Sequence, residues 1–230
     1  MATEAPTGQH PMAPPPGVEQ LWFGRVPDLV ADALAHRQLL NAEESARLDS
    51  FLRPAPREAY AVAHVALRRL LGERLGRSPE AVVLERDPCT HCGGPHGRPV
   101  VPGNTVHFSL SHTGGMVLIA LAAAPVGVDV EALADDATIT EITGQLHPRE
   151  RAELAALEAG ERSSAFTRCW TRKESVLKAT GAGLNEGTAH LYVGTGSRPA
   201  APDSGWLLSD VPTDPGYAAA VAVRVTGSGH

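Results

Sequence analysis

A short strand in which valines alternate with acids sets the strictest limit on how this chain folds: Gly127-Val128-Asp129-Val130-Glu131. Successive side chains of a β-strand point to opposite faces, so the valines face a core while Asp129 and Glu131 share the other face. Neighbouring carboxylates repel each other, and burial raises the cost of their charges. A divalent cation relieves both problems, and oxygen ligands favour Mg²⁺ or Ca²⁺ over zinc. These residues alone leave a solvent-exposed strand face as the alternative.

A helical pattern follows about forty residues later, in the stretch WTRKESVLK. Trp170, Glu174 and Lys178 recur at every fourth position and therefore share one helical face, with Lys173 beside them. If that face packs against the acidic strand, Glu174 is a third carboxylate for one metal ion. Lys178 then lies about 6 Å further along the helix, near the phosphates of an anionic ligand. A surface ion pair between Glu174 and Lys178 is the alternative.

Periodicity and turn signals along the chain predict an α+β protein with two similar, pseudo-twofold-related lobes, each a small antiparallel sheet packed with helices. Strands are predicted at 18–26, 81–87, 127–131, 190–194, 205–209 and 216–225, with a hairpin at 106–122 that turns at Gly114-Gly115. Helices are predicted at 41–52, 57–76, 147–160 and 163–183. The last of these is expected to open at Ser163 or Ser164 and to close at Gly181.

The domain organisation expected from these elements is a Pro- and Gly-rich disordered leader at 1–17, an N-terminal lobe at 18–125 and a C-terminal lobe at 126–230. The net charge of −6 gives no reason to expect nucleic-acid binding. No apolar run reaches the ~18 residues of a membrane span. The N-terminus lacks the features of a secretion signal, and three cysteines without such a signal indicate a reducing cytoplasm.

Three further features leave their function open. Ser111 and His112 point to opposite faces of a strand, so they do not form a nucleophile–base pair, although the histidine lies beside a glycine turn suited to phosphate. Cys89 and Cys92, with His91 and His96 nearby, have the spacing of half a zinc site, which His96 and His107 together could complete; ordinary loop residues or redox chemistry are the alternatives. Residues 53–77 contain six arginines and two glutamates, which indicates either a solvated face or a binding surface.

The segments FSLSH, GVDVE and WTRKESVLKATGAGL, in this order, resemble the 4′-phosphopantetheinyl transferase superfamily, and the chain length is similar to that of its two-lobed Sfp type. The resemblance implies a transferase that moves the phosphopantetheine arm of coenzyme A to a serine of apo acyl or peptidyl carrier proteins and releases adenosine 3′,5′-bisphosphate. The resemblance leaves open whether the carrier serves fatty-acid, polyketide or nonribosomal peptide synthesis, although it favours secondary-metabolite synthases, and it implies an active site between the lobes. Two lobes in one chain make a monomer sufficient.

The resemblance also implies the roles of individual residues. Mg²⁺ is expected on Asp129, Glu131 and Glu174. Either Glu174 or Glu150 is expected to be the base for the carrier serine, and Lys178 is expected to stabilise the leaving phosphate or assist proton transfer. The residues implied to contact coenzyme A are Lys178, His112, Ser111, Arg98 and Arg57. Two alternatives remain: a catalytically silent carrier-binding module on the same fold, and a small zinc-binding regulatory protein built on Cys89 and Cys92.

Overall fold

Two three-stranded antiparallel sheets form the framework of the described residues, which in this computed structural model are 13–89, 92–95, 97–181, 187–200, 202 and 205–225. The first sheet has the order β1-β5-β4, with β1 at Gln20–Arg25, β4 at His107–Thr113 and β5 at Met116–Ala122. The second has the order β6-β8-β7, with β6 at Val126–Ala132, β7 at Trp206–Val211 and β8 at Tyr217–Arg224. A two-stranded ribbon pairs β2 at Glu85–Arg86 with β3 at Pro99–Val100.

Six α-helices accompany these sheets within the described residues. They are α1 Val26–Ala35, α2 Ala42–Asp49, α3 Pro54–Leu75, α4 Asp136–Ile142, α5 Pro148–Ala155 and α6 Ala159–Thr180. The α+β prediction is therefore confirmed, and the chain passes from the first sheet to the second between β5 and β6. The division into an N-terminal and a C-terminal lobe stays a prediction. None of the helices among the described residues is long and apolar enough to cross a membrane.

The two sheets pack face to face, and strand alternation explains how. Val126, Val128 and Val130 of β6 are at most 1% exposed and join Leu118 and Phe23 of the first sheet in one hydrophobic cluster. Helices α1 and α3 cover the other face of the first sheet, and α6 covers the other face of the second. Full burial of one such valine contributes about 1.5–3 kcal/mol. The alternation that buries these valines turns the acids of β6 towards α6.

Helix α3 ends where the sequence predicts, but several of its arginines are engaged within the protein. Gly76 ends the helix in the left-handed region at φ 62°, as predicted. Of the basic segment, Arg68 is fully buried and donates from Nε to Glu44 Oε2 at 2.5 Å. Arg69 and Arg74 pair with Asp32 and Glu19. Three of the six arginines of residues 53–77 therefore stabilise the N-terminal part of the fold. A docking surface on this segment would carry less positive charge than six arginines indicate.

Helix α6 begins earlier than predicted. Its first residue is Ala159 with Glu158 as N-cap residue, so the expectation of an opening at Ser163 or Ser164 is wrong. The hydroxyls of those serines donate instead to carbonyls, Ser163 to Ala134 and Ser164 to Glu161. The predicted end is confirmed, since Gly181 caps the helix at φ 75°.

The predicted strand at 190–194 is a loop. Three of the backbone groups that a strand could pair are bonded to side chains: Leu191 O accepts from Lys173, Gly194 O accepts from Arg172, and Val193 N donates to Glu150 Oε1 at 2.8 Å. The strand predicted at 81–87 is reduced to Glu85–Arg86. Two helices, α1 and α4, lie where no helix was predicted.

The leader and the cysteine loop are only partly described. Residues 1–12 and the candidate zinc ligands His91 and His96 lie outside the described residues. Cys89 and Cys92 belong to a tight loop in which Cys89 N donates to Gly94 O and Gly93 N donates to Cys89 O, both at 2.8 Å.

A glycine on β6 sets the distance between that strand and α6. A Cβ atom on Gly127 would lie 1.9 Å from Ser175 O and 2.5 Å from Ala179 N, which are backbone atoms of α6. We therefore expect Gly127→Ala to lower the free energy of unfolding by about 3 kcal/mol, and to reduce activity because α6 carries Glu174 and Lys178. Urea denaturation measures the first effect. Gly144→Ala is the matched control, since nothing lies within 4 Å of its Cβ position, and equal stability of the two variants would contradict the argument.

Candidate active site

Strand β6 presents its acids to a space kept open by small residues. Asp129 lies opposite Ala220 of β8 and Glu131 lies opposite Ala218, so only methyl groups flank the two carboxylates across the strand pair. Asp129 is 2% exposed, whereas Glu131 is half-buried. The alternative of a solvent-exposed strand face does not hold, because a helix covers the surface on which the carboxylates lie.

Helix α6 covers that surface and brings Glu174 and Lys178 to it. Lys178 Nζ lies 2.6 Å from Asp129 Oδ1 and donates to Ser111 Oγ at 3.0 Å. The side chain of Lys178 is 34% exposed and that of Asp129 is 3% exposed, so the pair lies at the edge of the solvent with only the lysine reaching it. The interpretation of Glu174 and Lys178 as an isolated surface ion pair is therefore replaced by contacts with β4 and β6.

Ser111 links β4 to β6 in a way that the sequence did not indicate. Its hydroxyl donates to Asp129 Oδ1 at 2.8 Å, and Oγ also lies 3.4 Å from Val130 N. Ser109, two residues earlier, accepts from Val128 N at 3.0 Å. The S-x-S spacing of FSLSH is the signal that could have revealed this, since both hydroxyls lie on the same face of β4. Ser111 orients Asp129.

The three carboxylates influence one another electrostatically. Burial raises the pKa of Glu174 to about 7, with further raising by the negative charges of Asp129 and Glu131 and an opposing effect of Lys178. Burial and Asp129 likewise raise the pKa of Glu131, against a hydrogen bond from Thr113 and the charge of Lys178. Burial and like charge make it costly for all three carboxylates to be ionised together, and a bound cation would relieve that cost.

Two carboxylate oxygens of this cluster are buried without a hydrogen-bond partner among the described residues: Asp129 Oδ2 and Glu174 Oε1. A buried polar atom left unpaired costs free energy, and such atoms are rare unless a ligand completes them. The described ranges contain no group of three or more His, Cys, Asp or Glu side chains that forms a metal-binding cluster as it stands. The donor set is nevertheless all oxygen and strongly negative, which fits a hard divalent cation.

Two of the remaining predicted ligand residues are arginines of the N-terminal half of the chain. Arg98 donates to Asp87 Oδ2 at 3.2 Å and to Ala179 O at 3.0 Å, so its guanidinium lies at the last turn of α6, beside Lys178. Arg57 is half-buried in the first turn of α3 and makes no ion pair within the part of the chain that the structure describes. The contact of both arginines with coenzyme A stays a prediction.

His112 lies on the face of β4 opposite to Ser111, and solvent reaches its ring. The surrounding protein lowers the pKa of His112 below the ordinary histidine value, and the positive charges of His64 and Lys178 lower it further. Ser111 and His112 are therefore not a catalytic pair, as predicted.

Glu150 lies apart from the carboxylate cluster, in a buried ion pair. Glu150 and Lys173 are both fully buried, with Lys173 Nζ 2.6 Å from Glu150 Oε2. The glutamate also accepts from His147 N at 3.0 Å and from Val193 N at 2.8 Å. Both of its oxygens are engaged and shielded from solvent, which leaves no access for a carrier serine. The structure therefore argues against Glu150 as the base and indicates a structural role.

Known proteins with similar sequences include several 4′-phosphopantetheinyl transferases. A sequence model described as the 4′-phosphopantetheinyl transferase superfamily matches residues 125–199, which include β6 and α6. The 4′-phosphopantetheinyl transferase psf-1 of Bacillus pumilus is 31% identical over 76% of this chain and 78% of its own length. The transferase Sfp of Bacillus subtilis is 31% identical over 64% and 67%, and HetI of Nostoc is 29% identical over 82% and 80%.

Proposed function

The chain belongs to the 4′-phosphopantetheinyl transferase superfamily, and we propose that it transfers the phosphopantetheine arm of coenzyme A to a serine of apo acyl or peptidyl carrier proteins in a Mg²⁺-dependent reaction. The observation that carries this proposal is the cluster at which Asp129, Lys178 and Ser111 meet at distances of 2.6–3.0 Å. Glu131 and Glu174 add two partly buried carboxylates close enough to Asp129 that burial and its negative charge raise the pKa of both.

Asp129, Glu131 and Glu174 are the residues that would hold Mg²⁺. Their fit is supported by the unpaired oxygens Asp129 Oδ2 and Glu174 Oε1 and by the all-oxygen donor set. When bound, a divalent ion neutralises charge on the diphosphate of coenzyme A and on the departing phosphate.

The protein's own side chains position the substrate and receive the proton. In the transfer, the serine oxygen forms a bond to the β-phosphorus of the coenzyme, the bond from that phosphorus to the oxygen of the departing adenosine 3′,5′-bisphosphate breaks, and the serine proton is accepted by a base. Of the two candidate bases, Glu174 is supported by its place in the cluster. Lys178 and Arg98 supply positive charge near the leaving phosphate, while His112 and Arg57 are proposed to hold other phosphates.

The biological setting follows from the same assignment. Carrier proteins are typically acidic, so the exposed arginines that flank α3, Arg53 and Arg77, would provide local attraction against the net negative charge of this chain. We propose a monomeric cytoplasmic enzyme that serves polyketide or nonribosomal peptide synthases. A non-catalytic carrier-binding module is disfavoured, because such a protein would be expected to lose at least one of Asp129, Glu131, Glu174 and Lys178.

The test is a transfer assay with purified components. Incubation with an apo peptidyl carrier domain, coenzyme A and Mg²⁺ is expected to increase the carrier mass by one phosphopantetheine arm, as measured by intact-protein mass spectrometry. EDTA should abolish the increase and added Mg²⁺ should restore it. A carrier whose serine is replaced by alanine is the control. Binding of the carrier without any mass increase would favour the non-catalytic module instead.

A further inference from the structure

The lysine of the active-site cluster occupies one oxygen, Oδ1, of a carboxylate that the metal needs, while Oδ2 of the same group has no hydrogen-bond partner among the described residues. We infer that Lys178 closes the metal platform of the free protein and that the diphosphate of the coenzyme opens it by drawing the lysine away, so that metal and coenzyme bind cooperatively. The inference rests on the proposed function, because that function identifies the diphosphate. It assigns to Lys178 the control of binding order, in addition to its proposed role beside the leaving phosphate.

The contacts of Asp129 explain why the metal and the ammonium group compete. Asp129 Oδ1 receives two hydrogen bonds, from Lys178 Nζ at 2.6 Å and from the hydroxyl of Ser111 at 2.8 Å. The lysine is also held by Ser111 Oγ at 3.0 Å. A divalent cation on this carboxylate therefore displaces the ammonium group or lies next to it, and two positive charges at such a distance repel each other.

The lysine can leave, whereas the aspartate cannot. The side chain of Lys178 is 34% exposed and flexible, while that of Asp129 is 3% exposed and fixed by Ser111. In the described residues, no other lysine or arginine makes an ion pair with Asp129, Glu131 or Glu174. When the Lys178 ammonium group moves from Asp129 to a phosphate, the three carboxylates are left without a cation. Their combined negative charge then favours metal binding.

The sequence offers a direct way to observe Lys178. The chain contains two lysines, Lys173 and Lys178, and Lys173 is fully buried in its own ion pair. Protein labelled with ¹⁵N-lysine therefore gives two side-chain signals by NMR, one of which belongs to the exposed residue. We expect the Lys178 Nζ signal to shift when coenzyme A is added and the Lys173 signal to remain in place.

The decisive experiment measures Mn²⁺ binding by electron paramagnetic resonance in the full chain, with and without coenzyme A and corrected for Mn²⁺ bound by coenzyme A alone. For the wild type, coenzyme A is expected to tighten Mn²⁺ binding about tenfold or more. Lys178→Met is expected to bind Mn²⁺ about tenfold more tightly than the wild type without coenzyme A, and to gain little when it is added. Lys178→Arg retains the charge and should bind Mn²⁺ weakly, as the wild type does.

Each result separates this inference from the proposed function. Unchanged or weaker Mn²⁺ binding by Lys178→Met, with Mg²⁺-dependent transfer intact in the wild type, overturns the inference alone. Absence of transfer by the wild type overturns the proposed function, whatever the metal affinities are. If Lys178→Met does not fold, as judged by circular dichroism, the wild type decides: a lack of coupling between coenzyme A and Mn²⁺, or an unshifted Lys178 signal, overturns the inference.

Discussion

Asp129→Asn is expected to reduce the rate of arm transfer about a thousandfold, equivalent to about 4 kcal/mol of transition-state stabilisation. The asparagine keeps the size of the side chain but removes the charge of a group that lies at the centre of the cluster, 2.6 Å from Lys178 and 2.8 Å from Ser111. An amide also offers one oxygen instead of two to a cation. The measurement is the initial rate of carrier mass increase at saturating coenzyme A and Mg²⁺.

The stability of this variant must be measured with its rate. Removing one partner of a buried pair leaves the other uncompensated, although Lys178 is partly exposed and solvent relieves it. We therefore expect only a small change in the midpoint of urea unfolding. Asp136→Asn, on the exposed first turn of α4, is the matched control and should retain the wild-type rate. A rate within threefold of the wild type for Asp129→Asn would remove Asp129 from the metal platform.

The elements that carry the site could be predicted from the sequence because each has a local signal. Alternation in GVDVE determines which side chains of β6 face the core, and the four-residue spacing of Glu174 and Lys178 places them on one side of α6. Gly127 is the exception within this strand. Its role as the point where α6 approaches β6 depends on the backbone of Ser175, which no local pattern reveals.

The contacts made by residues far apart in the chain could not be predicted in the same way. Ser111 and Asp129 belong to different sheets, and their hydrogen bond depends on how those sheets pack. Lys173 and Glu174 are adjacent in sequence, yet one is fully buried and the other belongs to the site. A helical pattern defines a face, but the partner that each face meets is defined by the tertiary fold.

The ion pair between Glu150 and Lys173 is an example of a contact that depends on the tertiary fold. The resemblance to the transferase family implies Glu150 as one of two candidate bases for the carrier serine. The structure favours a structural role instead. The side chains of Glu150 and Lys173 are both fully buried, and Lys173 Nζ also donates to Thr188 O at 2.8 Å and to Leu191 O. The pair fixes the loop at 187–195 against α5 and α6. Its contribution should therefore be to stability.

Lys173→Met is expected to lower the free energy of unfolding by about 3–5 kcal/mol, because it leaves the buried carboxylate of Glu150 without its cation. Typical domains are stable by about 5–15 kcal/mol, so this loss is a large fraction of the total. Urea denaturation followed by circular dichroism measures it. Arg74→Met is the matched control, because Arg74 forms an ion pair with Glu19 at 3.0 Å. Both of these side chains are more than a third exposed, so the loss of unfolding free energy should be at most about 1 kcal/mol.

Glu150→Gln then distinguishes a structural role from a catalytic one. The amide keeps the shape of the side chain but not its charge, so the variant should be less stable than the wild type while each folded molecule retains its rate of transfer. Glu174→Gln should give the opposite result, a large loss of rate with a smaller loss of stability, because its Oε1 has no partner to lose among the described residues. If Glu150→Gln instead kept its stability and lost transfer about a thousandfold, the base would be Glu150, and the ion pair with Lys173 would have to open during catalysis.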